Sequence, residues 1–158
     1  VEAGDKRIAS VIFLSPSDMV GLAKSDNNFE RDITTAKKMI AEGKGHEIMP
    51  LMIWGDTFLS ANSYTSLLDE SSNVAIFNFY NPQDKLEVLG KITIPVFVVI
   101  GDKDQFATIS IEDIIIRSKE ALKSAPKVEI KILGGADHGY NKYEQQLADE
   151  MKTWILEI

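Results

Sequence analysis

The sequence has no cysteine, few positive charges and no long apolar run. Without cysteine there can be no disulfide framework and no thiolate chemistry, and the cellular compartment stays open. The 17 Lys and Arg residues against 24 Asp and Glu residues give a formal net charge of −7. This argues against a nucleic-acid partner, because phosphate binding needs a basic face. No apolar stretch approaches the roughly 20 residues of a membrane-spanning helix, so we expect no membrane span.

The remaining composition is that of an ordinary globular domain. The chain has 158 residues, of which 44% are hydrophobic and 26% are charged. A domain of this size can bury a substantial core. The sequence begins at Val1 and carries no signal-peptide pattern, so we expect a processed chain or a piece of a longer protein.

Three apolar segments predict the strands of a parallel sheet. Ile8–Leu14 and Val96–Ile100 are continuous apolar runs, which is typical of strands covered on both faces. Val128–Leu133 differs because Glu129 and Lys131 alternate with its apolar residues. This alternation predicts a strand at the margin of the sheet with one face in water.

Helical periodicity follows each of these segments. Phe29–Ile40 repeats apolar residues at helical spacing, and Ser110 begins a second helix with an acidic residue three positions later. A third helix is predicted from about Lys142 to Ile158, with Asn141 and Glu144 at the spacing of a capping box.

The order of elements predicts an α/β fold with right-handed crossovers and the strands in the order first, second, third. Residues 16–92 would form a mainly helical insertion, and a cap or lid if it lines a substrate pocket. The first strand is apolar but has a neighbour on one side only, and such an edge invites association. We therefore expect an upstream segment or a second chain, including a copy in a homodimer, beside residues 8–14.

Three loops follow the carboxyl ends of these strands, where functional groups gather in open parallel sheets. They are residues 15–18, 101–106 and 134–140. Asp104 and His138 follow adjacent strands, so we expect their side chains to meet at hydrogen-bond distance. A carboxylate on one imidazole nitrogen fixes the tautomer and stabilises the cation that forms when the other takes a proton. The alternative is that Asp104 caps a turn and His138 is an ordinary loop histidine.

Two motifs resemble those of the α/β-hydrolase family. The strand and turn Ile94–Asp104 resemble the segment that carries the triad acid, and Gly135–Gly139 before a terminal amphipathic helix resembles the histidine loop. The resemblance implies that Asp104 is the acid and His138 the base of a Ser-His-Asp triad, and that Asp102, the rival acid, is a turn residue. Residues 1–158 would be the C-terminal part of one α/β-hydrolase domain with a cap at about 16–92, acting on a small-molecule ester or amide without a cofactor.

The sequence departs from this family at the nucleophile. The family carries its serine on a Gly-x-Ser-x-Gly elbow, and no such pentapeptide occurs here. The oxyanion-hole amides that belong to the elbow are missing with it. The resemblance therefore predicts a serine hydrolase fragment that is inactive alone and needs its other half. Ser15 and Ser17 lie at the appropriate end of the sheet but are disfavoured as nucleophiles.

Two other functions remain open. One is a non-catalytic module that keeps the hydrolase architecture for binding. The other is a magnesium-dependent phosphatase with a nucleophilic aspartate, because Asp102 and Asp104 follow an apolar strand. Gly101 between strand and carboxylates, and Phe106 at the later position, count against the phosphatase. His46 is expected to be a solvated loop residue.

Overall fold

The computed structural model describes residues 5–53 and 57–158. Residues 54–56, within the predicted insertion of residues 16–92, lie outside the described residues. The strands are β1 (Val11–Leu14), β2 (Val96–Gly101) and β3 (Val128–Leu133). The helices are α1 (Met19–Lys24), α2 (Phe29–Ala41), α3 (Ala61–Leu68), α4 (Glu87–Gly90), α5 (Ile111–Ala121) and α6 (Glu144–Leu156). None of the helices in these two ranges is long and apolar enough to cross a membrane.

The three strands form one parallel sheet in the order β1-β2-β3. Val96 of β2 pairs with Val11 on one side and with Val128 on the other. All residues of the central strand are buried, as its continuous apolar sequence predicts. The α/β class, the three parallel strands and their order are confirmed.

The first strand is shorter than predicted. It begins at Val11 rather than Ile8, because Val11 pairs with Val96, the first residue of β2. The Ile8 N–H donates instead to the carbonyl oxygen of Asp5 at 3.2 Å. Leu14 at its other end is exposed. Among the described residues β1 has a strand neighbour only in β2, as expected for the first strand of this order, and its residues are half-buried except for the exposed Leu14.

The third strand also differs from its prediction. The face that carries Lys131 was expected in water, yet Leu133 on that face is fully buried. Lys131 Nζ lies 2.6 Å from the Glu150 carboxylate of α6. Its aliphatic stem can lie along the sheet while the ammonium group reaches a helical partner. Ile132 on the opposite face is exposed, whereas Val128 and Ile130 on that face are half-buried, so neither face of β3 lies wholly in water.

Helix α6 covers the sheet through its aromatic residue. Trp154 is buried and stacks on Phe97 of β2, with ring centroids 5.3 Å apart. The helix begins at Glu144, and the predicted cap is wrong because Asn141 bonds the Asp137 carboxylate through its N–H and its side-chain amide. The helix ends at Leu156, and the apolar residues Ile155, Leu156 and Ile158 at its end are exposed.

The chain divides into two compact units. One combines the segment that ends at Ser17 with Pro82–Ile158 and contains the sheet. The other, Asp18–Asn81, is the mainly helical insertion and lies within the predicted residues 16–92. Its core joins α2 and α3 through buried residues that include Phe29, Ile33, Ala36, Met49, Tyr64 and Leu68. Whether this unit acts as a cap stays a prediction.

Candidate active site

The loops after β2 and β3 approach each other closely where β2 ends. A Cβ atom on Gly101 would overlap the carbonyl oxygen of Ala136, so only glycine fits at this point of the strand. The Lys103 N–H donates to the same carbonyl at 3.0 Å. The turn after β2 is thereby fixed against the loop that carries His138.

Asp104 and His138 meet across these two loops. His138 Nδ1 lies 3.0 Å from each carboxylate oxygen of Asp104. The Asp104 side chain is only 4% exposed, whereas that of His138 is 30% exposed. An ionised carboxylate only accepts hydrogen bonds, so Nδ1 donates in this pair and Nε2 is left as an acceptor. The arrangement can take up a proton at Nε2 and stabilise the resulting imidazolium.

Two further residues contact the pair. The Phe106 N–H donates to Asp104 Oδ1 at 2.9 Å, which helps to fix the carboxylate. The Phe106 ring meets the imidazole edge to face, with centroids 4.8 Å apart. Gln105 Oε1 accepts from the backbone N–H of His138 at 3.1 Å. Gln105 was not among the predicted site residues, and its position beside Asp104 is the only feature of the sequence that points to it.

Asp102 contacts the backbone of the histidine loop rather than the imidazole. Its Oδ1 accepts from the Gly135 N–H at 2.6 Å, and Gly135 has a positive φ of 85°. Asp102 therefore connects the two loops, while Asp104 binds the ring. This geometry fits the interpretation of Asp102 as a turn residue.

The two candidate serines do not bond the imidazole. Ser15 is buried, and its Oγ lies 3.1 Å from the carbonyl oxygen of His138 and 2.8 Å from Tyr140 Oη. Ser17 Oγ donates to the Ser15 carbonyl at 3.2 Å. Within residues 5–53 and 57–158 no serine hydroxyl is hydrogen-bonded to the His138 ring. Tyr140, like Gln105, was missed, because a tyrosine two positions after a histidine matches no motif.

Burial and hydrogen bonding shift the pKa values of two other ionisable groups in the histidine loop, Tyr140 and Asp137. Burial raises the pKa of Tyr140 above its ordinary value, so the hydroxyl stays protonated and can donate. The side-chain amide of Asn141 lowers the pKa of Asp137, which lies beside His138 in the loop. The described part of the chain has no group of three or more His, Cys, Asp or Glu residues that could hold a metal ion.

The second histidine lies elsewhere. His46 is exposed in a loop of the Asp18–Asn81 unit, and its Nδ1 is 3.5 Å from the side-chain amide nitrogen of Asn62. No carboxylate of the described residues forms an ion pair with it. Of the two histidines, only His138 has the partner that acid–base chemistry requires.

The model of a family described as "Protein of unknown function (DUF1749)" matches residues 6–157. The chain belongs to the DUF1749 family. A search of curated proteins found no match.

Solved structures resemble this DUF1749 chain over part of their length. A highly thermostable carboxyl esterase from Bacillus coagulans, in complex with glycerol, is 16% identical with a TM-score of 0.56. The alignment covers 99% of this chain and 59% of the esterase. An esterase from Pyrococcus furiosus is 17% identical with a TM-score of 0.45, covering 99% and 46% of the two chains. The chain thus spans about half the length of these structures, and the Bacillus coagulans enzyme shows its fold alone.

Proposed function

We propose that this DUF1749 chain supplies the acid and the base of a Ser-His-Asp triad in a hydrolase that cleaves carboxylic esters or amides. The observation that carries the proposal is the contact of the Asp104 carboxylate with His138 Nδ1 at 3.0 Å. The nearly complete burial of the Asp104 side chain supports the proposal further, because a shielded carboxylate interacts more strongly with an imidazolium. The esterase fold of the structural neighbour is compatible with this chemistry.

The reaction follows from the protonation state of the pair. His138 Nε2 takes the proton of a serine hydroxyl as the serine Oγ forms a bond to the substrate carbonyl carbon. The Asp104 carboxylate stabilises the imidazolium during this step. The proton then passes from Nε2 to the leaving alcohol or amine as the carbonyl carbon–heteroatom bond breaks. Water repeats the two steps on the acyl-enzyme and releases the acid.

The nucleophile and the oxyanion hole would come from outside residues 1–158, because the sequence contains no Gly-x-Ser-x-Gly elbow. In this proposal the segment that carries them continues the sheet beside β1, whose outer edge has no neighbouring strand among the described residues. Loss of a nucleophile typically removes several orders of magnitude in rate. We therefore expect the 158-residue chain to be inactive alone.

The test compares the two histidines in the full-length protein of this proposal, with a p-nitrophenyl ester as substrate. We expect His138→Ala to lower kcat/KM by about 10⁴-fold or more, because both proton transfers pass through its ring. His46→Ala is the matched control, since that residue lies in a different unit, and it should leave kcat/KM unchanged.

Two results would contradict the proposal. Ester turnover by the full-length His138→Ala variant at the native rate would remove His138 from the reaction. Turnover by the 158-residue chain alone, lost in His138→Ala, would reveal a nucleophile within the chain. A full-length protein without hydrolase activity, and with an inert residue at the elbow position, would instead support a non-catalytic binding module.

A further inference from the structure

A buried hydroxyl joins the histidine loop to two strands of the sheet. Tyr140 is 5% exposed, and its Oη donates to the carbonyl oxygen of Val99 in β2 at 2.7 Å. Tyr140 Oη also accepts from the N–H of Ser15, the residue directly after β1, at 2.9 Å. It lies 2.8 Å from Ser15 Oγ. One side chain from the loop thereby contacts the backbone at the ends of both β1 and β2.

Ser15 extends this contact to the histidine itself. Its Oγ lies 3.1 Å from the carbonyl oxygen of His138, and the serine is 6% exposed. Its hydroxyl has one proton, which can go to that carbonyl or to Tyr140 Oη. In both cases Ser15 fixes a group within two residues of the imidazole. Gln105 accepts from the N–H of His138, so when the Ser15 proton goes to the His138 carbonyl, the peptide groups on both sides of the His138 Cα have side-chain partners.

Both residues of this contact have backbone conformations that a Cβ atom disfavours. Ser15 has a φ of 42° and Tyr140 a φ of 56°. Such left-handed residues persist only where surrounding contacts hold them, and they concentrate at functional sites. The two strained positions meet each other through the Tyr140 hydroxyl.

We infer that Ser15 and Tyr140 are positioning residues, which hold the histidine loop so that the His138 imidazole stays aligned with Asp104. The catalytic meaning of this role rests on the proposed function. A catalytic group must stay within about 0.5 Å of its productive position, and contacts beyond the reacting groups supply that precision. Ser15, the disfavoured nucleophile candidate, would thus serve the site through its hydrogen bonds.

The test observes the imidazole directly, by nuclear magnetic resonance of the protein with ¹⁵N-labelled histidine. The variants are Tyr140→Phe and Ser15→Ala, and the loss of a signal in His138→Gln identifies the ring. Tyr64→Phe is the matched control, because Tyr64 is equally buried but lies in the other unit. The exposed His46 ring serves as the internal reference.

We expect a slowly exchanging Nδ1–H signal from His138 in the unchanged protein. Tyr140→Phe should accelerate its exchange about fivefold, as expected for the loss of one hydrogen bond, and shift the tautomer ratio. Ser15→Ala should act in the same direction, and Tyr64→Phe should leave the signal as it was. Thermal unfolding of each variant separates this effect from general loss of the fold.

The outcome is independent of hydrolase activity. An unchanged His138 signal in both variants would overturn the positioning role, whatever the protein hydrolyses. A signal that changes equally in Tyr64→Phe would also overturn it, because the effect would then be global. A protein without activity in which Tyr140→Phe and Ser15→Ala alone alter the signal would refute the proposed function and leave the positioning role standing.

Discussion

At the scale of single residues, the site depends on a close approach that only glycine permits. We expect Gly101→Ala to lower the free energy of unfolding by about 1–3 kcal/mol, because its methyl group would overlap the Ala136 carbonyl. Gly134→Ala is the control, since a Cβ atom there meets open space. Urea unfolding of both variants measures the difference. Equal effects of the two substitutions would show that the loops are not tightly packed at Gly101.

A second residue-scale prediction concerns the pH dependence of stability in the Asp18–Asn81 unit. Lys37 Nζ lies 2.5 Å from the Asp69 carboxylate, and this contact, aided by Ser71, lowers the pKa of Asp69 to about 2. A folded-state pKa below the ordinary 3.8 stabilises the fold above about pH 4, and that contribution is lost as the pH falls through 2.

Asp69→Asn should therefore cost about 1 kcal/mol at neutral pH, a discounted value because the Lys37 side chain is 59% exposed. The difference from the native protein should shrink between pH 4 and pH 2 in thermal unfolding. Glu42→Gln, which breaks an exposed ion pair with Lys44, is the control and should change little. A pH-independent cost of Asp69→Asn would show that the charge is not responsible.

At the scale of elements, the predicted cap of α5 is confirmed in its contacts. Ser110 Oγ accepts from the Asp113 N–H at 3.1 Å and donates to the Asp113 carboxylate at 2.7 Å. Ser110→Ala should destabilise the protein by about 1 kcal/mol. Asn28→Ala at the start of α2 should cost less, because the Asn28 side chain caps no helical N–H. Chemical unfolding of both variants compares the N-termini of α5 and α2. An equal loss of stability in the two variants would contradict the role of Ser110 as the stronger cap.

The burial and the bounds of an element were predicted well where they depend on one periodic pattern in its own sequence. They were predicted poorly where they depend on contacts with a neighbouring element or loop. β2 is apolar throughout and lies between two strands, so its burial followed from its sequence. The exposure of the individual β3 residues could not be predicted from their alternation, because the ion pair of Lys131 with Glu150 depends on where α6 lies. The start of α6 was placed too early because Asn141 bonds Asp137, four residues before it in the chain.

At the scale of the whole molecule, the topology brought the expected site residues together. Asp104 and His138 lie 34 positions apart, and their meeting was implied by the parallel order of β2 and β3 and by the resemblance of the two motifs to a triad acid and a histidine loop. Tyr140 and Gln105 were not found, because most of their partners are backbone groups that no side-chain pattern reveals. The catalytic role of the pair and the cap role of the insertion stay predictions.

The most direct measurement of the central claim compares two aspartates two positions apart in the full-length protein of our proposal. Asp104 binds the imidazole, whereas Asp102 binds the backbone N–H of Gly135. On a p-nitrophenyl ester, Asp104→Asn should lower kcat by about 10⁴-fold, because an amide cannot hold the reactive tautomer or stabilise the imidazolium. Asp102→Asn should retain most of the activity. Equal losses in the two variants, or native activity in Asp104→Asn, would contradict the claim that Asp104 and His138 act as the acid and base.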